Sequence, residues 1–233
     1  MIDFHQTEQE VILQIPYNHT RADMIHEINE AFGNGADMVR VGVRLFDNEI
    51  VIVSSEWEHS SSSGDNGVGL LTLAELLDNF PEKFFNLSIV EDKPQMADRY
   101  AGILTGRNAV GRVLTSSLYG KVLHEFKRQL SDAVTAYSFI RVVGLYALYR
   151  SGLIYFKRKF SAKVVQTYEM VGPSYIASQG FIRMLKSRGI RVHVFVENND
   201  IAVHRLLEQG VTGLIIKDIG YIHRLKEIFK LPI

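Results

Sequence analysis

The amino-acid sequence predicts an α/β protein folded as a (β/α)8 TIM barrel with a β-hairpin extension after the second strand. Short apolar segments alternate with segments of helical periodicity, and eight such strand–helix pairs can be counted along the chain. The length of 233 residues suits one barrel of this kind. We therefore expect residues 1–233 to form a single barrel domain, with any site at the carboxyl ends of its strands.

The hairpin is predicted by alternating residues followed by a turn and a second apolar segment. Val39 and Val41 alternate with the polar Arg40, which gives a strand with two different faces. The turn at 46–49 has four residues and leads into the apolar segment 50–53. Four residues are too few for a parallel crossover, so the two strands must be antiparallel. Because the valines suit the face that packs on helices, we expect Arg40 to point into the barrel.

The other elements are predicted from periodicity and from helix-start signals. Thr72, with Glu75 three residues later, has the spacing of a capping box, so a helix is expected to begin there and to end before Pro81. The predicted strands are 11–16, 39–44, 84–90, 112–115, 133–137, 162–167, 191–196 and 213–216. The other predicted helices are 21–32, 96–104, 118–130, 142–153, 176–188, 200–209 and 221–229.

The formal net charge of zero conceals an asymmetry along the chain. Residues 1–100 carry 18 acidic and 6 basic side chains, whereas residues 101–233 carry 8 and 20. The two halves of the chain form two sides of a barrel, so the molecule should be electrically polarised. The basic side can face an anion, the two sides can pair in a homo-oligomer, or both can simply be solvated surface.

Composition excludes several classes of chemistry. The chain has no cysteine, and therefore no disulfide, thiolate nucleophile or cysteine metal site. Neither a signal peptide nor a membrane span is visible, so a cytoplasmic location is expected. Aromatic and basic residues mix between 146 and 160, but the basic run at 157–159 is short, which argues against nucleic acid as a partner.

Five segments of the chain occur in the order and spacing of a known family. Residues 35–55 begin with Gly-Ala-Asp and contain the strand, the short turn and the returning strand. Residues 60–64 and 85–90 follow, and 189–200 and 206–218 close the chain with Val-His-Val-Phe-Val, Asn-Asp and Gly-Val-Thr-Gly-Leu-Ile-Ile-Lys-Asp. In this frame the chain resembles the glycerophosphodiester phosphodiesterases. The resemblance implies the barrel fold and a phosphodiester as the substrate class.

The reactive residues of that family are replaced in this chain. Members of the family hold a divalent metal with a Glu and an Asp of the second strand and a later Glu, and they use two His as acid and base. The corresponding ligand positions carry Arg40, Gly42 and Ser88 here, and the returning His position carries Ser54. Such residues do not supply the hard carboxylate oxygens that Mg²⁺ or Ca²⁺ prefers. We therefore expect no metal, no cofactor and no catalytic residue at these positions.

Six residues are the candidates for ligand binding, namely Arg40, Ser54, Ser88, His193, Phe195 and Lys217. The Arg40 guanidinium can bind phosphate through two parallel hydrogen bonds, or it can pair with a neighbouring acid and close the mouth. His193 and Lys217 are expected at other strand ends. His193 also alternates with valines, which suits a hydrogen-bonded histidine of the barrel interior.

Two functions are compatible with these residues. The first is a catalytically degenerate, phosphodiesterase-like barrel that binds or scaffolds a phosphorylated small molecule or a protein partner. The alternative is an active phosphodiester hydrolase or phosphotransferase with a rebuilt, metal-independent site. The two functions differ in one feature, which is whether a proton-transfer group lies within reach of Arg40 in the mouth. The sequence leaves open whether the protein is an enzyme, and we favour the binding function.

Overall fold

The computed structural model describes residues 9–15, 20–53 and 70–229. Within these ranges the strands are β1 (Glu10–Gln14), β2 (Met38–Phe46), β3 (Glu49–Val53), β4 (Phe84–Ile89), β5 (Val113–Ser117), β6 (Val134–Thr135), β7 (Val164–Tyr168), β8 (Met170–Val171), β9 (Ser174–Tyr175), β10 (Arg191–Phe195) and β11 (Gly213–Ile216). The α-helices are α1 (Arg21–Gly33), α2 (Leu73–Asn79), α3 (Met96–Gly106), α4 (Gly120–Gln129), α5 (Phe139–Arg150), α6 (Gln179–Ser187), α7 (Asp200–Glu208) and α8 (Ile219–Phe229).

Eight parallel strands form a (β/α)8 barrel, as the sequence predicts. Their order around the barrel is β6-β5-β4-β2-β1-β11-β10-β7. An isolated parallel bridge between Ala136 and Val164 joins the two ends of this order. Each barrel strand is followed by a helix, which places the strand-to-helix loops together at the carboxyl face.

The junction between β6 and β7, which we call the seam, has the fewest strand-pairing contacts in the ring. β6 has two residues and shares two register pairs with β5, whereas β2 and β4 share six. Across the seam the Tyr137 N–H donates to the Val164 carbonyl (2.9 Å), and the Lys163 N–H donates to the Thr135 carbonyl (3.1 Å).

The predicted hairpin is confirmed. β3 folds back antiparallel on β2, with Phe46 opposite Glu49, so the connecting loop is Asp47-Asn48. Both loop residues have positive φ (41° and 68°), which is the requirement of a type I′ turn. Asp and Asn tolerate this left-handed conformation better than other residues with a Cβ atom, and the turn matches the twist of the strands.

The alternation of side chains in β2 separates two cores. Val39, Val41 and Val43 are buried in the large cluster between the strands and the helices. Met38 points to the opposite face and packs inside the barrel with Ile12, Leu114, Val164 and Ile215 of four other strands and with Ala136, which directly follows β6. The interior is therefore apolar at the level of Met38. Arg40, two residues further along β2, lies above this layer of apolar side chains.

Helix starts follow the predicted signals at some positions and depart from them at others. Thr72 caps α2 in a capping box with Glu75, as predicted. The predicted helix at 176–188 begins later, at Gln179, because Ser174–Tyr175 pairs as β9 with β8. The predicted helix at 142–153 begins earlier, at Phe139, where the extended Ser138 is the N-cap. The predicted strand 133–137 is shortened to β6.

The entry to β2 is fixed by the Asp of the Gly-Ala-Asp segment. Asp37 Oδ2 accepts a hydrogen bond from the Val11 N–H at 2.7 Å, and both carboxylate oxygens lie 3.2 Å from Lys226 Nζ of α8. Burial raises the pKa of Asp37, although the bond from Val11 and the charge of Lys226 oppose this shift. Gly35 has φ +92°, a conformation that other residues rarely adopt, and it lies against the Lys226 stem. The segment therefore joins α1, β1, β2 and α8.

No helix within the described ranges is long and apolar enough to cross a membrane.

Candidate functional site

Arg40 points into the barrel from β2, as the alternation predicts, and its side chain is buried, with 7% exposure. Its Nη1 donates to Asn86 Oδ1 (3.1 Å), to Ser116 Oγ (3.0 Å) and to Gln166 Oε1 (3.2 Å). Its Nη2 donates to Ser88 Oγ (3.2 Å). The guanidinium therefore crosses the interior and bonds to side chains from β4, β5 and β7.

The surroundings of Arg40 contain more hydrogen-bond donors than acceptors. A guanidinium carries five N–H groups, and each amide side chain adds two more. Arg40 Nε, Asn86 Nδ2 and Gln166 Nε2 are buried without a hydrogen-bond partner. Exchanging the nitrogen and oxygen of either amide does not correct the imbalance, because Arg40 would then lose an acceptor. Buried donors of this kind are costly, and an acceptor-rich group would satisfy them.

No carboxylate lies within ion-pair distance of Arg40 among the described residues. The structural alternative of an arginine that pairs with a neighbouring acid is therefore not realised in this part of the chain. Burial lowers the pKa of Arg40 to about 10, and interaction with Tyr168 opposes the shift. The group is still a cation at neutral pH, and its hydrogen-bond acceptors among the described residues are all neutral oxygens.

Two aromatic rings connect Arg40 with the surface. Arg40 Cζ lies 5.4 Å from the centroid of the Phe195 ring, in cation–π contact. The Tyr168 ring stacks on Phe195 at 4.8 Å and 25°. Tyr168 is the last residue of β7 and is 57% exposed. These two rings therefore form one wall of the mouth between Arg40 and solvent.

The other candidate residues are distributed as follows. Ser88 binds Arg40, while Ser54 lies outside the described residues. Lys217 is exposed and directly follows β11 at the carboxyl face. His193 is not at a strand end as predicted; it lies in the middle of β10, fully buried, with Nε2 3.1 Å from Oε2 of Glu10 but without hydrogen-bond geometry.

Glu10 is the first residue of β1, so His193 faces the amino-terminal side of the barrel. There Glu10 also pairs with Arg191 at 3.1 Å. The His193 side chain fits here because the residue opposite it is small. A Cβ atom at Gly213 would lie 2.7 Å from His193 Cδ2, so the imidazole occupies the space that Gly213 leaves. The structure brings Arg40, Ser88 and Phe195 together, and it places His193 with Glu10.

The residues at the expected metal-ligand positions do not suit a divalent cation. Arg40 brings a positive charge, Gly42 has no side chain, and Ser88 Oγ accepts a hydrogen bond from Arg40. Within the described ranges no group of three or more His, Asp or Glu side chains is close enough to hold a metal ion. Mg²⁺ and Ca²⁺ need several oxygen ligands, usually carboxylates among them.

Sequence reasoning missed four residues of the site, Asn86, Ser116, Gln166 and Tyr168. The first three are polar residues within short, otherwise buried barrel strands. A polar residue on the inward face of such a strand is the signal that could have identified them. Which of them meet Arg40 depends on the stagger of the strands, which the sequence does not specify.

The fold and the site define a class of protein: a (β/α)8 barrel with a buried cation and surplus hydrogen-bond donors under its carboxyl face. Residues 155–221 match the sequence model of the glycerophosphoryl diester phosphodiesterase family. A glycerophosphodiester phosphodiesterase of Bacillus subtilis (strain 168) is 37% identical over 65 residues, which is 27% of this chain and 22% of that protein. These matches show that the carboxyl-terminal part of the chain is similar to that family, and the match spans about a fifth of the length of the curated relative.

Solved structures share the whole barrel at low sequence identity. A glycerophosphodiester phosphodiesterase from Parabacteroides distasonis has a TM-score of 0.70 and 16% identity, over 96% of this chain and 99% of that one. The corresponding domain of a Mycobacterium tuberculosis protein has a TM-score of 0.70 and 13% identity, over 94% and 99%. A phosphodiesterase from Oleispira antarctica, solved in complex with sn-glycerol-3-phosphate, has a TM-score of 0.63 and 13% identity, over 95% and 96%. At these identities the similarity establishes the fold alone.

Proposed function

We propose that this protein binds a phosphorylated small molecule in the barrel mouth through Arg40, without a metal, and that it does not hydrolyse it. The observation that carries the proposal is the buried Arg40 guanidinium, which has neutral partners and no carboxylate among the described residues. An anion in the mouth would supply the missing negative charge.

Phosphate suits this environment because its oxygens only accept hydrogen bonds when it is ionised. Arg40 Nε, Asn86 Nδ2 and Gln166 Nε2 are the donors that such oxygens would satisfy. Guanidinium binds phosphate with two parallel N–H bonds, and a charge-assisted bond of this kind is worth roughly 1.5–3 kcal/mol. The Oleispira antarctica structure was solved with sn-glycerol-3-phosphate, which supports a glycerol phosphate as the class of ligand to test first.

The contacts of Arg40 favour binding over hydrolysis. Its hydrogen-bond partners among the described residues are two amides and two hydroxyls, and such groups do not gain or lose a charge near neutral pH, as a general acid or base would. His193 is fully buried with Glu10 on the amino-terminal side, away from the mouth. An active hydrolase with a rebuilt site would need a proton-transfer group beside Arg40.

Calorimetric titration with glycerol 3-phosphate tests the proposal. We expect the parent protein to bind and Arg40→Met, which keeps much of the side-chain volume, to lose at least about tenfold in affinity. Arg158→Met is the matched control, because Arg158 is an exposed arginine that precedes the start of β7 by six residues. If Arg40→Met binds glycerol 3-phosphate as tightly as the parent, the proposal is wrong.

A turnover assay separates binding from hydrolysis. We expect glycerophosphocholine to be hydrolysed no faster than in buffer, with or without added Mg²⁺, because the hydrogen-bond partners of Arg40 among the described residues are amides and hydroxyls. Turnover by the parent that is lost in Arg40→Met and retained in Arg158→Met would instead establish the alternative, an active metal-independent hydrolase.

A further inference from the structure

The turn that follows α5 exposes large apolar side chains on the amino-terminal side of the barrel. Leu153–Phe156, which we call the exposed turn, is one turn of 3-10 helix entered through Gly152 with φ 77°. Leu153 is 56% exposed, Tyr155 60% and Phe156 82%. Residues three apart in a 3-10 helix project from the same side, so Leu153 and Phe156 point to solvent together. These side chains therefore form one contiguous group.

The exposed turn is held in place by contacts on its other side. Ile154 is fully buried in the core. Arg188 Nη1 donates to the Lys157 carbonyl at 3.3 Å, and its Nη2 donates to the Tyr155 carbonyl at 3.5 Å. Phe160 packs against the same core, 5.7 Å from Lys157 Nζ and 5.8 Å from Arg188 Cζ. The fold thus presents apolar side chains to solvent in a fixed position, which is unfavourable unless a partner covers them.

The part of the chain around the exposed turn is strongly basic. Residues 133–196 carry ten Lys and Arg side chains and one acidic side chain, Glu169. Glu169 follows β7 at the carboxyl face, where it pairs with Arg205. On the amino-terminal side, where α5 and α6 end and β7 begins, the cations include Arg150, Lys157, Lys159, Lys163, Lys186 and Arg188. The apolar group is therefore surrounded by positive charge that no acid of the same segment offsets on that side.

We propose that the exposed turn docks the barrel on an anionic lipid membrane. Leu153, Tyr155 and Phe156 enter the boundary between head groups and acyl chains, and the surrounding cations bind the anionic head groups. A nucleic acid fits this surface less well, because the aliphatic Leu153 offers no ring for a base to stack on and the basic run at 157–159 is short.

The docking surface lies opposite the carboxyl face of the barrel. A barrel docked through the exposed turn therefore holds its mouth, with Arg40, on the side away from the lipid and open to a ligand from solution. The proposal needs no ligand at Arg40, so it stands independently of the proposed function.

Co-sedimentation of the full chain with vesicles tests the proposal. We expect binding to vesicles of equal parts phosphatidylglycerol and phosphatidylcholine, and at least about tenfold weaker binding to vesicles of phosphatidylcholine alone. A basic residue close to an anionic surface strengthens binding about fivefold, so two engaged cations are sufficient for this difference. Added salt should weaken binding to the mixed vesicles, because it screens these charges.

Two pairs of variants locate the contact. Phe156→Ser should weaken binding to the mixed vesicles at least about fivefold, since it removes an apolar ring that enters the lipid. Its matched control is Ile201→Ser, because Ile201 is 78% exposed in the first turn of α7, at the carboxyl face. Lys159→Glu should weaken binding at least about fivefold as well. Lys121→Glu makes the same charge change in the first turn of α4, at the carboxyl face, and should weaken it less than about twofold.

The outcomes separate this inference from the proposed function. Binding to neither kind of vesicle overturns the docking proposal and leaves phosphate binding at Arg40 untouched. Equal binding by the parent and Phe156→Ser overturns it too, and so does a loss in Ile201→Ser as large as that in Phe156→Ser, because lipid would then contact the carboxyl face. Tighter binding of single-stranded RNA than of the mixed vesicles would assign the basic surface to nucleic acid instead. The titration with glycerol 3-phosphate decides the proposed function and has no bearing on docking.

Discussion

The Arg40 guanidinium is a buried cation that the described part of the barrel does not neutralise. Burial lowers its pKa from 12.5 to about 10, which corresponds to a destabilisation of the charged form on the order of 3 kcal/mol. Local destabilisation of this kind is common at binding sites. The cost of burying Arg40 can therefore be tested by measuring the free energy of unfolding, without a ligand.

We expect Arg40→Met to be at least as stable as the parent when anions that could bind are absent. The substitution removes the cost of burying the charge, and the hydroxyls of Ser88 and Ser116 can turn to other partners. The measurement is urea unfolding near pH 7 in a buffer of large, weakly binding anions. A loss of more than about 2 kcal/mol would show that Arg40 holds the barrel together, because that is the size of effect expected when a buried network is broken.

The same comparison has a pH dependence of known sign. The folded-state pKa of Arg40, about 10, lies below the unfolded value of 12.5, so the unfolded chain binds the proton more tightly. The parent therefore gains stability relative to Arg40→Met as the pH rises through about 10. The difference between their free energies of unfolding shrinks over this range. A difference that stays constant across this range would contradict a strained, buried cation.

At the level of single elements, β2 shows which contacts position the site. Its amino-terminal end is held by the preceding residue Asp37, which accepts a hydrogen bond from the Val11 N–H of β1 and pairs with Lys226 of α8. Arg40 lies three residues further along the chain. A shift at Asp37 would therefore move Arg40 relative to its partners on β4, β5 and β7.

We expect Asp37→Ala to lower the free energy of unfolding by about 2–3 kcal/mol, since it leaves the Val11 N–H without an acceptor. Asp37→Asn should cost clearly less, because the amide oxygen can still accept that bond. Burial raises the pKa of Asp37, so folding favours the protonated carboxyl; the contribution of this side chain to stability is greatest in acid and falls as the pH rises through the folded-state pKa.

Urea unfolding of both Asp37 variants checks this expectation. Asp78→Ala is a control for loss of an exposed Asp, whose pair with Arg107 lies on the surface. If Asp37→Asn costs as much as Asp37→Ala, the ion pair with Lys226 is the main contribution and the bond to Val11 is secondary.

Elements with a strong local signal were predictable from the sequence. The hairpin was predicted because a short polar turn joins two apolar segments, and α2 because Thr72 and Glu75 have capping-box spacing. The start of α6 was predicted wrongly, since Ile176 looks like part of a helical stripe but precedes the cap at Ser178. β8 and β9 have two residues each, which is too short for any period to show.

The site was predictable only in part, for a physical reason. The inward direction of Arg40 follows from alternation within one strand, which is local information. Its contacts with Asn86, Ser116 and Gln166 join residues 46, 76 and 126 positions apart. Such contacts depend on the stagger of neighbouring strands, and no local pattern encodes that stagger.

For the whole molecule, the family match and the candidate site around Arg40 fall on different parts of the chain. The family match covers residues 155–221, which contain β7, β10 and β11. Arg40, Gly42 and Ser88 lie outside that range. The barrel brings the two parts together, because Arg40 from the first part contacts Gln166 and Phe195 from the second.

At the seam between β6 and β7 the closed barrel can open and expose the edge of a strand. Few hydrogen bonds must break there for β6 to separate, so sub-global opening of the barrel should begin at the seam. The amides of Ala136 and Tyr137 should then exchange with deuterium earlier than those of β2 and β4.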